Sequence, residues 1–327
     1  MVQKNCVVSD LLAGLLAALV STNTPTAVSN LVQEKTGLSV QVPDPNDPVE
    51  QEFRKLEAED DAAVEEIEKW SDAAGAASAA GEPQAQLSLP LRVKDRLGGV
   101  KKDYEEFIQH HPDYVRARLA YGSFLNQSGD SANAEAQWEK ARQLAPNNAA
   151  TWNNLGKLYE DGNIKKAFEY FSKAIELDPS QSVYYWNLAA GVYLFRTDAE
   201  EYWQVSEQEV FDTALALYRK AMKLDPENFI LATDYAECFY GIRPLRLQEG
   251  LAAWNQCLTI AHDEVEREGV CIHLARIQLA LNHFDESRRA LDAVTNKMYS
   301  VLKNKLAGNL NQAMQNALTN GPPQPVR

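Results

Sequence analysis

Residues 146–179 read PNNAATWNNLGKLYEDGNIKKAFEYFSKAIELDP, and this stretch decides the fold. Apolar residues recur at helical spacing on both sides of a short polar turn at 161–163, which predicts two helices joined by that turn. The residues that form the two predicted apolar faces are Trp152, Leu155 and Tyr159 in the first helix and Ala167, Phe171 and Ala174 in the second. Gly156 allows close approach of the first helix, and Pro179 ends the second.

The same pattern recurs along the chain. Prolines at 112, 146, 179 and 226 are separated by 34, 33 and 47 residues. A small residue occupies the same place in each first helix, at Gly122, Gly156, Ala189, Ala236 and Ala275. The pattern W-x2-L-G-x2-Y, then A-x3-F, then P resembles the tetratricopeptide repeat. The resemblance implies an all-α fold, a right-handed superhelical solenoid of about five such helix pairs with an N-terminal helix and a C-terminal capping helix.

The third repeat departs from the family spacing. Its extra residues lie between its two helices, around 195–205, and Ser206 to Glu209 forms a capping-box pattern that restarts the second helix. The insertion contributes Phe195, Tyr202 and Trp203. The sequence leaves open whether these rings fold over the neighbouring surface or leave it free.

The pattern divides the chain into five segments. Residues 1–46 form an N-terminal segment, and residues 47–90 form an acidic amphipathic helix followed by an Ala/Gly/Ser-rich linker over 71–90. Residues 91–295 form the repeat array, residues 296–320 the capping helix and residues 321–327 a tail.

The acidic helix carries an apolar stripe from Val49 to Trp70, interrupted only by Asp60. Two interpretations fit this stripe. The helix docks on the repeat array with its acidic face in solvent, or the stripe binds a partner helix and makes the protein a homo-oligomer.

The charge and the hydropathy pattern of the sequence argue against nucleic-acid binding and against a membrane span. The net charge of −14 argues against a general nucleic-acid binder, which needs a basic face. No apolar run reaches the length of an integral membrane span. Residues 7–20 are similar to the apolar core of a secretory signal, but Asp10 interrupts them and the residues before them are weakly basic, so a soluble, cytoplasmic location is slightly favoured over export.

Catalytic and metal-binding motifs are absent from the sequence. It contains no GxxxxGK[ST], HExxH or GxSxG pattern, so we expect no enzyme and no cofactor. The nearest metal candidates are Cys257, His262, Cys271 and His273, whose spacing matches no usual zinc arrangement, so no metal is expected.

The resemblance also implies where a partner binds. In the family, positions 2, 5, 9 and 12 of each first helix face the concave surface, which binds peptides or proteins. Carried over to this chain, those positions supply the candidate partner-binding residues Arg116, Asn126, Asn153, Lys157, Trp186, Tyr193, Thr233, Glu237, Tyr240 and Arg276. The Lys/Asn/Arg pattern with which some members clamp a C-terminal carboxylate is matched only at Asn154, so that specificity is disfavoured.

The sequence therefore predicts a non-catalytic protein–protein interaction module or scaffold that binds a peptide or protein partner. The alternative is a structural protein that self-assembles through its N-terminal helix.

Overall fold

The computed structural model describes residues 44–79 and 84–320, which form 14 α-helices and one 3-10 helix and contain no β-strand. The α-helices are α1 (Pro48–Ala79), α2 (Gln84–His110), α3 (Val115–Gln127), α4 (Ser131–Leu144), α5 (Ala149–Tyr159), α6 (Ile164–Leu177), α7 (Ser182–Leu194), α8 (Arg196–Trp203), α9 (Glu207–Leu224), α10 (Phe229–Gly241), α11 (Leu247–Ile260), α12 (Glu264–Ala280), α13 (Phe284–Asp292) and α14 (Ser300–Asn320). The 3-10 helix is Lys297–Tyr299. The predicted all-α fold class is confirmed.

The chain divides into two compact units. Unit 1 comprises residues 1–162 and 176–179, and unit 2 comprises residues 163–175 and 180–327. In unit 1, α1 packs with α2 and α3 packs with α4. In unit 2, α7 packs with α9, α10 with α11, and α12 with α13. The pairs α3/α4, α7/α9, α10/α11 and α12/α13 join the first and second helices of predicted repeats, whereas α1 is the predicted N-terminal acidic helix.

Small residues lie at the closest helix contacts, as the repeat spacing predicts. Ala134, Ala141, Ala214 and Ala221 are fully buried. A Cβ on Gly122 would overlap the indole ring of Trp138, whose Nε1 donates a 3.1 Å hydrogen bond to the carbonyl oxygen of Leu119. Larger residues at these places would push the paired helices apart.

Side-chain caps fix the starts of several helices. Asn148 accepts a hydrogen bond from the backbone N–H of Thr151, and Asn228 does the same for Leu231. Ser206 and Glu209 form the predicted capping box at the start of α9, with Ser206 N–H donating to Glu209 Oε2 at 2.9 Å. These caps satisfy backbone N–H groups that have no partner within the helix.

The predicted linker over 71–90 is wrong where the structure describes it, because α1 continues to Ala79 and α2 begins at Gln84. Its alanines, which suggested a linker, also have the highest helix propensity. The two helices are joined by ion pairs from Arg96 to Glu59 (2.7 Å) and Glu66 (2.8 Å), and the Arg92 guanidinium stacks on the Trp70 ring at 4.1 Å.

The central part of the apolar stripe of α1 is buried within the chain, and Val49, Ile67 and Trp70 at its ends are half-buried. Phe53, Leu56 and Ala63 are all buried, and the Phe53 ring lies 5.6 Å from that of Phe107. Asp60, which interrupts the stripe, accepts a 2.7 Å hydrogen bond from the hydroxyl of Tyr104. The stripe is thus occupied by packing inside unit 1, and the exposed face of α1 is largely acidic.

At the end of unit 2, α14 packs on α12 and α13. Its Leu310 is buried in a cluster with Cys271, Ile272 and Leu291. The helix therefore covers the apolar side of the last helix pair over part of its length. Val301 and Leu302 at its start remain exposed, as does Met298 in the preceding 3-10 helix.

None of the helices in residues 44–79 and 84–320 combines the length and apolar character that a membrane crossing requires. The signal-like stretch 7–20 and the tail 321–327 lie outside the described residues.

Candidate functional site

The two cationic candidates in unit 1 are paired with carboxylates of the chain itself. Arg116, on α3, donates to Glu50 Oε2 at 2.6 Å and to Glu57 Oε2 at 3.2 Å, and both acceptors belong to α1. Lys157 Nζ lies 2.6 Å from Glu160 Oε2, one turn further along the chain. A partner would have to compete with these ion pairs.

The two amide candidates in unit 1 differ in exposure. Asn153 is only 8% exposed. Asn126 is exposed, and its Oδ1 accepts a 3.3 Å hydrogen bond from the hydroxyl of Ser131. Unit 1 therefore holds its four predicted site residues in intramolecular contacts or below the surface.

Unit 2 brings its candidates together along the first helices α7, α10 and α12. Trp186 Nε1, from α7, donates a 2.9 Å hydrogen bond to Asp234 Oδ2 on α10. The Tyr193 hydroxyl donates at 3.1 Å to the carbonyl oxygen of Cys238, and a Cβ on Gly241 would overlap that hydroxyl. Tyr193 therefore serves mainly to join α7 to α10, whereas half-buried Trp186 reaches the surface.

A second group of contacts links α10 to the two helices that follow. The Tyr240 hydroxyl lies 3.0 Å from His273 Nδ1, and the Arg276 guanidinium lies 4.1 Å from the centre of the Tyr240 ring. His273 also stacks on Trp254 with ring centroids 3.9 Å apart. These contacts hold the Tyr240 ring in place and leave the Arg276 side chain exposed.

Two carboxylates of α10 lie beside these rings. Asp234 and Glu237 are three residues apart, so they share one helix face. Burial raises the pKa of Asp234, against the effect of the Trp186 hydrogen bond. Burial and the neighbouring Asp234 raise the pKa of Glu237, while Arg276 acts to lower it. Among the described residues, no Lys, Arg or His forms an ion pair with either carboxylate.

Apolar side chains border the carboxylates. Val183 is 40% exposed and Ile230 is 46% exposed. Ile230, Asp234 and Glu237 follow one another at i, i+4 and i+7, so they form one stripe along α10. The hydroxyl of Thr233, the remaining candidate of α10, donates a 2.8 Å hydrogen bond to the carbonyl oxygen of Ile230.

We call this region the α10 surface. It consists of Val183, Trp186, Ile230, Asp234, Glu237, Tyr240 and Arg276. It contains exposed aliphatic groups, the polar edges of aromatic rings and two carboxylates without a cation partner. Aromatic rings with a polar edge are common anchors of protein-recognition surfaces.

The insertion of the third repeat packs elsewhere in unit 2. It forms the short helix α8, whose Trp203 stacks on Phe168 of α6 with ring centroids 4.9 Å apart. Tyr202 lies 5.8 Å from the same ring, and Glu201 pairs with Lys165 at 2.8 Å. The insertion aromatics therefore fill the space over α6, while Trp186 and Tyr240 make their contacts with Asp234 and His273.

The described residues offer no grouping of three or more His, Cys, Asp or Glu side chains that could hold a metal ion. His273 is neutral at physiological pH, because burial and the nearby Arg276 lower its pKa to about 4. Burial raises the pKa of the Cys238 and Cys257 thiols to about 12, which leaves them unreactive.

Sequence reasoning missed Asp234. It occupies the sixth position of its helix, where the second and third repeats carry Asn154 and Asn187. The change from amide to carboxylate at this one position was the available signal. His273 was considered only as a metal ligand, and its aromatic stacking could not be read from its spacing.

Comparison with known families identifies the repeats. The family model described as Tetratricopeptide repeat matches residues 101–149 and 127–182. The matched range includes all of α3 to α6, with the stretch 146–179 on which the repeat spacing was recognised. Beyond it, the α7/α9, α10/α11 and α12/α13 pairs carry the same small residues at their contacts.

Solved structures with a similar fold include other repeat proteins. YrrB, described as a TPR protein with an unusual peptide-binding site, is 13% identical over 63% of this chain and 97% of its own, with a TM-score of 0.47. PilF of Pseudomonas aeruginosa is 14% identical over 68% and 94%, with a TM-score of 0.49. MamA is 19% identical over 52% and 91%, with a TM-score of 0.41. At these values the likeness does not extend to binding partners.

Proposed function

We propose that this chain, whose residues 101–182 match the tetratricopeptide repeat family, is a non-catalytic interaction module that binds a peptide or protein partner on the α10 surface of unit 2. The fold supports a protein–protein interaction or scaffold role, and the family is generally non-catalytic. The proposal adds the location of the binding surface.

The observation that carries the proposal is the exposure of Val183 and Ile230 beside Trp186. Both aliphatic residues occupy the second position of consecutive first helices, and both leave apolar area in water. Burying apolar surface contributes about 25 cal/mol per Å², so a partner gains affinity by covering them. Rigid aromatic rings next to such area are the usual anchors of interfaces.

Contacts within the chain support unit 2 over unit 1 as the binding region. In unit 1, Arg116 and Lys157 already have carboxylate partners, and Asn153 is buried. In unit 2, Glu237 and Arg276 are exposed. The alternative of self-association through α1 has less support, because Phe53 and Leu56 of its apolar stripe are buried inside the unit.

Site-specific photocrosslinking tests the proposal. A benzophenone amino acid is placed at position 230 on the α10 surface or, as a matched control, at exposed Lys220 on the second helix α9. Cells of the source organism expressing the full chain are irradiated, and crosslinked proteins are identified by mass spectrometry. We expect a partner to crosslink from position 230 and not from position 220. Equal crosslinking from both positions, or crosslinking from position 220 alone, would refute the assignment.

A further inference from the structure

The chemistry of the α10 surface indicates what kind of partner it takes. Its two carboxylates, Asp234 and Glu237, lie three residues apart on one face of α10. Helix α10 contains no Lys or Arg, and α7 contains no charged residue at all. The local charge of these two adjacent first helices is therefore negative.

Asp234 is held in a fixed position. Its Oδ2 accepts the 2.9 Å hydrogen bond from Trp186 Nε1, so the carboxylate is oriented before any partner arrives. Asp234 is half-buried, so its carboxylate is only partly accessible to water. A carboxylate in that position with no cation partner keeps its capacity for further hydrogen bonds from a charged donor.

The nearest cation on the surface, Arg276, acts to lower the pKa of Glu237 without forming an ion pair with it, and no cation among the described residues acts on Asp234. The guanidinium of Arg276 lies over the ring of Tyr240, 4.1 Å from its centre. It forms no ion pair with Glu237 within the described part of the chain. Neighbouring His273, which stacks on Trp254, is uncharged at neutral pH, because burial and the nearby Arg276 lower its pKa to about 4.

The apolar part of the surface begins one turn away. Ile230 precedes Asp234 by four residues, so its exposed side chain lies directly next to the carboxylate along the helix. Val183, on the neighbouring first helix α7, adds a second exposed aliphatic group. A ligand that satisfies both parts carries a cation and an aliphatic side chain within about one helical turn of each other.

We infer that the partner docks a basic segment in which Lys or Arg is flanked by aliphatic residues, with the cation on Asp234 and Glu237 and the aliphatic side chains on Ile230 and Val183. The inference rests on the proposed function and adds the chemistry of the ligand. Complementary charge sets both specificity and association rate at such interfaces.

Peptide selection provides the test. A random 12-residue peptide library displayed on phage is selected against the full chain at low salt. The recovered peptides are synthesised and measured by fluorescence anisotropy against four proteins: the wild-type chain, a Val183→Ser/Ile230→Ser variant, an Asp234→Asn/Glu237→Gln variant, and a Glu249→Gln control at an exposed position of α11. The asparagine at 234 can still accept the Trp186 hydrogen bond, and circular dichroism checks that each variant is folded.

We expect the recovered peptides to be enriched in Lys or Arg next to Leu, Ile, Val or Met. Their affinity should fall about tenfold or more in the Asp234→Asn/Glu237→Gln variant and stay unchanged in the Glu249→Gln control. Added salt should weaken binding to the wild-type chain.

Two results would overturn the inference in different ways. Peptides that lose binding to the Val183→Ser/Ile230→Ser variant but lack basic residues would leave the surface as a binding site and refute its preference for a cation. Peptides that bind all four proteins equally, or a failure to recover any peptide, would count against both the surface and the inferred chemistry. Light scattering of the wild-type chain and the Val183→Ser/Ile230→Ser variant tests whether a second copy of the chain occupies the surface. A dimer that is lost only in the variant would assign the surface to self-association and overturn the inference.

Discussion

Replacement of Glu50 tests how the N-terminal helix α1 is held against the repeats. Glu50 is 2% exposed and accepts hydrogen bonds from Tyr114 Oη at 2.5 Å, Arg116 Nη1 at 2.6 Å and Arg54 Nε at 2.8 Å. Two of the three donors belong to the loop before α3 and to α3 itself. The Glu50→Ala substitution removes the acceptor of all three at once.

The expected loss is about 2 kcal/mol of local stability. A hydrogen bond from Tyr114 to a buried, charged acceptor contributes about 1.5 kcal/mol. The side chains of Arg116 and Arg54 are 41% and 54% exposed, so water screens them and they add together about 0.5 kcal/mol. Burial acts to raise the pKa of Glu50, but the hydrogen bonds from Tyr114, Arg54 and Arg116 outweigh it and the pKa is lowered. The charged form is therefore favoured by folding.

Hydrogen exchange measured by mass spectrometry on peptides from α1 reads this loss directly. In the regime where local closing is faster than exchange, about 2 kcal/mol corresponds to roughly 30-fold faster exchange. Glu50→Gln keeps the shape and loses the charge, so we expect an intermediate effect. Glu65→Ala is the control on the same helix, because the Glu65 side chain is 71% exposed and forms an exposed ion pair with Lys69.

One result would refute this reasoning. If Glu50→Ala accelerates exchange in α1 no more than Glu65→Ala does, the buried carboxylate does not hold the helix. The docking would then depend on the packing of Phe53 and Leu56 alone.

Two further predictions concern unit 1 and unit 2 separately. Gly122→Ala should lower the free energy of unfolding by about 1–3 kcal/mol, because the new methyl group overlaps the Trp138 ring. Gly98→Ala, with no atom within 4 Å of its added Cβ, should raise it by about 0.5–1 kcal/mol, and thermal melts giving both the same sign would contradict this. The ring signals of His273 should stay unchanged in NMR spectra from pH 7.5 to 5.5, since its pKa is about 4. Between pH 6.5 and about 4 the unfolded chain binds the proton more readily, so the free energy of unfolding of the wild-type chain should decrease as the pH is lowered. His273→Phe should make this decrease smaller. An NMR titration midpoint near pH 6.5 would contradict the prediction.

The repeat fold could be predicted from sequence because its packing depends on a few positions at fixed spacing. Ala134, Ala167 and Ala214 are fully buried where the template requires a small residue. The stretch 71–90 shows where such reasoning fails. Its composition indicated a linker, but Arg92 and Arg96 of α2 reach back to Trp70, Glu59 and Glu66 of α1, and these contacts across the chain favour helix.

The candidate site was harder to predict than the fold. Spacing identifies which side of a first helix carries recognition residues, but it does not show what already contacts them. Arg116 and Tyr193 fit the template equally well, yet one is paired with carboxylates of α1 and the other bonds to the backbone of α10. Their partners lie 66 and 45 residues away in the sequence, where no local pattern points to them.

The hydrogen bond between Trp186 and Asp234 has opposite effects on the two side chains: it occupies the polar group of Trp186 and orients the carboxylate of Asp234 for a partner. The indole N–H of Trp186 already donates a hydrogen bond to Asp234, so the side chain contacts a partner only through its ring. That hydrogen bond also orients the Asp234 carboxylate beside exposed Ile230. The carboxylate can then pair with a cation of the partner. Loss of the indole should therefore weaken binding of a basic peptide in two ways, through lost ring contact and through a freed Asp234. Because Trp186→Phe keeps a ring and lacks the N–H, it separates the two contributions.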